Sequence, residues 1–246
     1  MGNRIVLVGA ASLVVCVASC SSTTTAPQDG GGDGGARGID PFCRTRPRLS
    51  FCEDFDQKAL PGAFDTIEGD ATLFSVAPRK DAPSEPNVAV LAPREGSTDA
   101  RFVTLAKEGL KYNLFFLAQL FPGHGRVDLA GVEDGTYKLV IGLDATDTWY
   151  VEETQDVGSG PTLRVRETKV TVDPNDLTAV RLDVYVDGPG SGHMRFRSGD
   201  DVVYENEPLT FSSGKSTLTP KVFVGAKKRD GAATMLVLDS VTLGED

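Results

Sequence analysis

In the runs 181–185 and 193–197, arginine, tyrosine or histidine occupies five of the six alternate positions, and Asp183 occupies the sixth. The candidates for chemistry are Arg181, Tyr185, Arg195 and Arg197. Because strand side chains alternate between two faces, each run presents its candidates on one face. A tyrosine base beside arginines that neutralise a uronate carboxylate could cleave an acidic polysaccharide. The alternative is that the two runs form a plain outward face of two adjacent strands.

Trp149, the one tryptophan, and its neighbour Tyr150 are aromatic candidates for contacting a sugar. An indole can stack on the apolar face of a pyranose, although a lone tryptophan in a sandwich is more often part of the core. Because adjacent strand residues face opposite sides, we expect one of the two rings to be exposed. The sequence leaves open which one.

Other catalytic signatures are absent from the sequence. The two histidines, His124 and His193, lack zinc-ligand spacing, and no G-x-S-x-G elbow, P-loop or dinucleotide fingerprint occurs. We therefore assign no catalytic residue and favour a protein that is not an enzyme.

The N-terminal residues predict export and lipidation. An apolar run at 5–17 is shorter than the roughly 20 residues that span a bilayer, so it is typical of a signal peptide. The segment 17–20 (VASC) is a lipobox, which predicts a signal peptide over 1–19 and an acylated Cys20 that holds the chain on a membrane. Ser21 favours the outer membrane. The alternative is a secretory signal with a chance cysteine.

Composition divides the rest of the chain in two. Residues 20–38 are rich in Ser, Thr, Gly and Asp and predict a lipidated flexible tether, whereas residues 39–246 have the size of one β-sandwich domain. The formal net charge of -10 argues against nucleic acid and against electrostatic attraction to anionic lipid. The expected partners are the membrane, through the anchor, and a polysaccharide or an envelope protein.

Cys43 and Cys52 form one even pair in an exported domain. Disulfides are the default for such pairs in oxidising compartments, so we predict a bond between them. The alternative, a metal site, lacks further ligands nearby.

Alternating apolar residues predict strands almost throughout the domain. The runs 137–143 and 180–187 alternate cleanly, and 112–121 is apolar on both faces, as in a central covered strand. Glycine- and aspartate-rich turns separate the runs, and no long segment has a helical period. The pattern predicts an all-β, two-sheet antiparallel jelly-roll sandwich of about 13 strands.

Four short landmarks carry a resemblance: 51–56 (FCEDFD), 84–87 (SEPN), 148–151 (TWYV) and 237–243 (VLDSVTL). With them, residues 49–244 resemble the concanavalin A-like lectin and glucanase jelly roll, in the form found in lipoproteins of myxobacteria-like organisms. The resemblance implies two curved sheets whose concave face binds or cleaves glycans.

The resemblance also implies a structural calcium ion held by Glu53, Asp54 and Asp239, with carbonyls and water completing its oxygen ligands. The alternative is that Glu53 and Asp54 lie on a solvated strand edge and that Asp239 caps a turn or pairs with an arginine.

The glucanases of this superfamily carry their acids as E-x-D-x-x-E on one strand. The nearest stretch, 152–156 (EETQD), lacks this spacing. Glu152 and Glu153 should face opposite sides of a strand and therefore cannot form a catalytic pair; we expect them at a solvated loop edge. We conclude that a membrane-anchored, non-catalytic domain binding glycan or another surface ligand is the best hypothesis. The alternatives are a structural protein–protein module and, third, a glycan lyase or hydrolase.

Overall fold

The computed structural model describes residues 41–44, 46, 48–56, 60–84, 87–94, 99–106, 111–156, 158, 160–185, 192–210, 220–230 and 233–244. All of them belong to the compact unit Ile39–Asp246. The signal peptide, Cys20 and the tether lie outside the described residues. Within these ranges, no helix has both the length and the apolar character needed to cross a bilayer.

The described strands form two antiparallel sheets. The eight-stranded sheet contains β1 (Phe51–Glu53), β3 (Phe74–Pro78), β4 (Asn87–Leu91), β6 (Lys111–Leu120), β11 (Thr178–Tyr185), β12 (His193–Ser198), β13 (Asp201–Pro208) and β15 (Leu236–Leu243). The seven-stranded sheet contains β2 (Thr66–Gly69), β5 (Asp99–Leu105), β7 (Val127–Asp134), β8 (Tyr137–Leu143), β9 (Thr148–Asp156), β10 (Pro161–Thr171) and β14 (Lys221–Lys228). Two short helical turns, α1 (Pro41–Arg44) and a 3-10 turn (Ala71–Leu73), complete the described elements.

Chain order and sheet order differ strongly. The eight-stranded sheet runs β13-β12-β11-β6-β15-β4-β3, with β1 paired to β15, and the seven-stranded sheet runs β10-β9-β8-β7-β14-β5-β2. Sequence-distant strands such as β7 and β14 are therefore hydrogen-bonded neighbours. This arrangement confirms the predicted all-β, two-sheet antiparallel jelly roll. The described residues contain 15 strands, where the sequence predicted about 13.

Side-chain alternation explains how the sheets bury a common core. Tyr137, Leu139, Ile141 and Leu143 of β8 point inward, as do Val180, Leu182 and Val184 of β11. The central position of β6, between β11 and β15, agrees with its apolar sequence. Each large apolar side chain stabilises the fold by roughly 1.5–3 kcal/mol when it is fully buried.

Trp149 anchors one part of this core. Its ring meets Phe196 of the opposite sheet edge-on, with centroids 5.0 Å apart, and its Nε1 donates a hydrogen bond to Ser198 Oγ at 2.8 Å. The indole nitrogen is thereby satisfied inside the protein, which allows the whole side chain to be buried.

The predicted disulfide is confirmed. Cys43 and Cys52 are bonded, with an S–S distance of 2.06 Å, and Cys52 lies opposite Thr242 in the pairing of β1 with β15. The bond therefore fastens α1 to the eight-stranded sheet where the chain enters the domain.

Candidate functional site

The outward side of the seven-stranded sheet carries the richest set of polar contacts. We call this surface the polar face. Every described strand belongs to one of the two sheets, so no third sheet covers it. Nevertheless, many of its side chains are almost fully buried, because long charged side chains fold over their neighbours.

One cluster on the polar face centres on Arg229, which follows β14. Its Nε lies 2.9 Å from both carboxylate oxygens of Asp128, and its Nη2 lies 2.6 Å from Glu152 Oε1. Asp128 at the start of β7 and Glu152 on β9 are both buried. One guanidinium thus joins two carboxylates from different strands.

Tyr150 lies within this cluster. Its hydroxyl donates to Asp128 Oδ1 at 2.5 Å, and the guanidinium carbon of Arg126 lies 3.8 Å from its ring centroid. On its other side, the ring packs against Gly142 of β8, where an added Cβ would clash with it. Burial, followed by the carboxylate of Asp128, raises the pKa of Tyr150 above its ordinary value. The ring is therefore held between backbone and cation, and its hydroxyl is not a ready base.

A second cluster repeats this arrangement around Phe223 of β14. The ring lies over Gly131 of β7, and Arg101 and Lys138 lie over it at 4.7 and 5.4 Å from its centroid. Glu133 accepts from Lys138 at 2.8 Å and lies 3.4 Å from Arg101. Arg101 also pairs with Glu68 of β2. Both aromatic rings of the polar face are covered by cations.

Around Phe223, the polar face has an apolar floor. Val103, Val140 and Phe223 form one buried group, with Gly131 beside them in register. The floor and the charged side chains around it could contact a chain-like ligand, with the charged side chains forming hydrogen bonds to the hydroxyl groups of the ligand. The cations that cover the aromatic rings leave little room for sugar stacking.

The expectation that either Trp149 or Tyr150 is exposed is wrong. Trp149 lies in the core and Tyr150 lies on the polar face, so the two do face opposite sides, but both are buried. The physical reason is that Arg126 covers the outward ring.

Arg181, Tyr185, Arg195 and Arg197 lie on the other side of the molecule, on the outward side of the eight-stranded sheet. Arg181 is in register with Arg197, and Tyr185 with His193, on which its ring stacks at 4.4 Å. Each run therefore has its candidates on one face, and the pairing of β11 with β12 places both sets on the same outward side of the sheet. Arg195 and Arg197 both pair with Glu205 of β13.

Glu152 and Glu153 face opposite sides of β9, as predicted, but their expected place at a solvated loop edge is wrong. Glu152 is buried against Arg229. Glu153 is buried on the inward side, where Arg166 Nη1 lies 2.5 Å away and the Tyr137 hydroxyl and the Thr210 amide also donate to it. Arginine pairing explains why both carboxylates tolerate burial.

The predicted calcium ligands lie near one another, but their carboxylate oxygens differ in their hydrogen-bond partners. Glu53 accepts hydrogen bonds from the Phe55 and Ala63 amides, whereas Asp54 Oδ2 is buried without a hydrogen-bond partner. Asp239 contacts Ser84 through both of its oxygens.

The charge of this acidic group would favour a bound cation, but its geometry does not form a complete site. Burial, followed by the carboxylates of Asp56 and Asp239, raises the pKa of Asp54 to about 6. Among the described residues, however, no three acidic, histidine or cysteine side chains surround a common metal position. A structural calcium site at Glu53, Asp54 and Asp239 stays a prediction, and Asp54 Oδ2 is the oxygen of this group that is buried without a hydrogen-bond partner.

Sequence reasoning missed the residues that organise the polar face. These are Arg101, Arg126, Asp128 and Arg229. The available signal was Gly142 inside an otherwise regular strand run, because an interior strand glycine marks a close approach of another group.

No protein-family model and no curated protein matches the sequence. Solved structures show its fold. An endo-β-1,4-glucuronan lyase from the fungus Trichoderma reesei superimposes with a TM-score of 0.62 and 14% identity, over 80% of this chain and 96% of the lyase.

Two further structures agree with this fold. The cellulose-induced protein Cip1 has a TM-score of 0.54 and 12% identity, over 80% of this chain and 97% of its own. SCLam, a non-specific endo-β-1,3(4)-glucanase from family GH16, has a TM-score of 0.51 and 12% identity, over 80% and 90%. The chain therefore has the concanavalin A-like jelly-roll fold.

Proposed function

We propose that this protein is an exported, lipid-anchored envelope protein whose polar face binds a polysaccharide without cleaving it. The observation that carries the proposal is an ordered set of charged side chains on a sheet face that none of the other described strands covers. The fold supports it, because its solved neighbours include a glucuronan lyase and a glucanase.

The polar face has suitable partners for polysaccharide hydroxyls. Arg126, Lys138, Glu133 and Glu68 are each about a third exposed or slightly less, and each is held by ion pairs to a neighbour. Donors and acceptors held in place before binding lose less side-chain entropy when a ligand arrives. An extended glycan could therefore be recognised mainly through hydrogen bonds, with little aromatic stacking.

The same contacts support binding without cleavage. A glycosidase needs one carboxyl group that gives a proton and a second that attacks or activates water. On the polar face, the oxygens of Asp128 and Glu152 accept hydrogen bonds from Arg229. The Tyr150 hydroxyl donates a hydrogen bond to Asp128, so it is poorly suited to be a lyase base.

The lipid anchor rests on the lipobox at Cys20 and the sequence after it. Processing before Cys20 and acylation would place the domain in the cell envelope, and Ser21 favours the outer membrane. Mass spectrometry of the membrane fraction would test this part. Loss of membrane association in Cys20→Ser is expected, and a non-acylated wild-type protein would contradict it.

Polysaccharide retention in a native gel tests binding by the polar face. The chain 39–246 contains every described element and is suitable for this assay. Replacement of Lys138 and Glu68 by alanine should abolish retention by any polysaccharide that slows the wild type. The matched control, Arg197→Ala with Glu205→Ala, breaks an exposed ion pair on the other sheet and should be retained normally. Absence of any retained polysaccharide would contradict the proposal.

A protein-binding envelope module is the second candidate, and one observation favours it. The edge strand β10 exposes Leu163 and Val165, at 55% and 39%. Edge strands with exposed apolar side chains readily pair with another chain. Concentration-dependent self-association or capture of one envelope protein, lost in Leu163→Lys with Val165→Lys, would favour this function.

A further inference from the structure

Basic side chains are concentrated on the outward side of β6, β11 and β12, opposite the polar face. We call this surface the basic face. Arg181, Arg195 and Arg197 are 48%, 42% and 45% exposed there, and Lys111 begins β6 beside them. We propose that the basic face docks the domain on an anionic phospholipid surface. The proposal rests on the lipid anchor of the proposed function and adds an orientation to it.

Among the described residues, the three arginines of the basic face share two carboxylates. Asp183 is buried and pairs with Arg181, while Glu205 is shared by Arg195 and Arg197. Arg181 and Arg197 lie directly opposite each other in register. Two like charges in such a pair destabilise a sheet unless something else compensates them. Asp183 and Glu205 compensate this repulsion in part, and lipid phosphates would add further compensation.

The N-terminal segment adds to the same surface. Arg46 and Leu49 line a pocket together with Asn113 and Arg181, so this segment lies against the outward side of β6 and β11. Arg48 is exposed next to it. The chain thus enters the domain on the basic face, fastened there by the bond between Cys43 and Cys52.

The position of this entry point favours a membrane over other anionic partners. Residues 21–38 would connect it to the acylated Cys20. Gly- and Ser-rich chains of this length span about 20–25 Å on average. The anchor would therefore keep the basic face close to the lipid surface, with the polar face turned away and open to a ligand.

The net charge of -10 does not prevent such docking. At physiological ionic strength, charges more than about 8–10 Å from the lipid surface are largely screened. The local charge of the docking surface decides the sign of the interaction. For this one face, the proposal therefore departs from the expectation that an acidic chain is not attracted to anionic lipid.

Vesicle sedimentation tests the proposal with residues 39–246. Vesicles of phosphatidylcholine with 30% phosphatidylglycerol should bind the domain at low salt and release it as NaCl increases. Vesicles of phosphatidylcholine alone should not bind it. Replacing both Arg181 and Arg197 by Glu should weaken binding at least about tenfold, because each basic residue near an anionic surface contributes roughly fivefold.

The control variant carries the same charge change on the other sheet. Lys169→Glu with Lys221→Glu alters two exposed lysines of β10 and β14 and should bind vesicles as the wild type does, apart from a small long-range effect. Circular dichroism confirms that both double variants are folded. Equal weakening by the two variants, or no binding of the wild type to phosphatidylglycerol vesicles, would overturn the proposal. The proposal would also be overturned if the basic face bound soluble polygalacturonate and did not bind the vesicles.

These assays distinguish a failure of membrane docking from a failure of polysaccharide binding. The Arg181→Glu, Arg197→Glu variant should keep its polysaccharide retention on the polar face while losing the vesicles. Replacement of Lys138 and Glu68 by alanine should have the opposite effect.

Discussion

Arg229 shows how a single residue can hold a functional surface together. Its guanidinium joins Asp128 and Glu152, which come from strands separated by β8. A buried carboxylate that loses its partner keeps its desolvation cost without the compensating attraction. Arg229 therefore determines both the shape and the stability of its end of the polar face.

Replacing Arg229 by methionine should lower the free energy of unfolding by about 3 kcal/mol, because it leaves two buried carboxylates with reduced compensation. Urea denaturation monitored by tryptophan fluorescence would measure this change. Arg197→Met, which breaks an exposed pair, is the control and should cost less than about 1 kcal/mol. Equal effects of the two substitutions would contradict the role given to Arg229.

The raised pKa of Asp54 predicts an unusual pH dependence. In unfolded chains, aspartate titrates near 3.9, whereas burial raises the pKa of Asp54 to about 6 in the folded protein. Between about pH 4 and 6, the folded state therefore binds more protons than the unfolded state, so its stability falls as pH rises. In EDTA, the melting temperature should be higher at pH 5 than at pH 7.

The substitution Asp54→Asn should reduce this pH dependence and stabilise the protein at pH 7 in EDTA. Part of the dependence should remain, because burial also raises the pKa values of Glu53, Asp56 and Asp239. Groups with lowered pKa values, such as Asp144, act below about pH 4 and do not affect this window. A wild-type profile that rises from pH 5 to pH 7, unchanged in Asp54→Asn, would show that Asp54 does not titrate in this way.

At neutral pH, calcium should offset the destabilisation that the buried carboxylates cause in EDTA. If Asp54 and Asp239 bind the ion, a concentration one hundred times the Kd should stabilise the fold by about 2.7 kcal/mol. Thermal melts with and without EDTA would detect this change. Asp239→Asn should abolish it, whereas Asp81→Asn, an exposed aspartate near Ser84, should not. The same melting temperature in calcium and in EDTA would exclude the predicted site.

At the scale of elements, the edge strands β10 and β13 of different sheets are tied together. Arg166 of β10 pairs with the buried Glu153 of β9 and lies 3.2 Å from Glu207 of β13. The Thr210 amide, just after β13, donates to Glu153 at 3.0 Å. These contacts close the sandwich along one edge, where backbone pairing between the sheets is absent.

Glu153→Gln should loosen this edge by leaving Arg166 without its buried partner. We expect a loss of about 3 kcal/mol in the free energy of unfolding. Amide hydrogen exchange should increase in β10 and β13 and remain slow in β8. Glu205→Gln, at an exposed carboxylate of β13, is the control. Uniform exchange changes across both sheets would argue against a local clamp.

The elements that could be predicted are those that one segment encodes by itself. Alternation along β8 and β11 defines their inward faces, and the continuous apolar run of β6 indicates a covered strand. The polar face could not be predicted in this way. Asp128, Glu152 and Arg229 meet only because β7 pairs with β14 and with β8, and such long-range pairings leave no mark on local periodicity.

At the scale of the whole molecule, the two sheets differ in what they present outward. The polar face is a network in which cations are matched to carboxylates, whereas on the basic face Arg195 and Arg197 share the single carboxylate of Glu205, beside the entry of the chain. This asymmetry is consistent with a domain that binds glycan on one side and lies on a membrane with the other. The resemblance to the concanavalin A-like jelly roll predicted the fold. It could not predict the difference between the polar face and the basic face, because that difference depends on side-chain contacts.

Chemical-shift mapping of the 39–246 domain with an oligosaccharide of a retained polysaccharide would test the glycan-binding surface most directly. Shifts should move at backbone amides of β7, β8 and β14 around Glu133, Lys138 and Phe223, while β11 and β12 remain unchanged. Changes confined to β11 and β12, or no changes at saturating oligosaccharide, would contradict the assignment of the polar face as the binding surface.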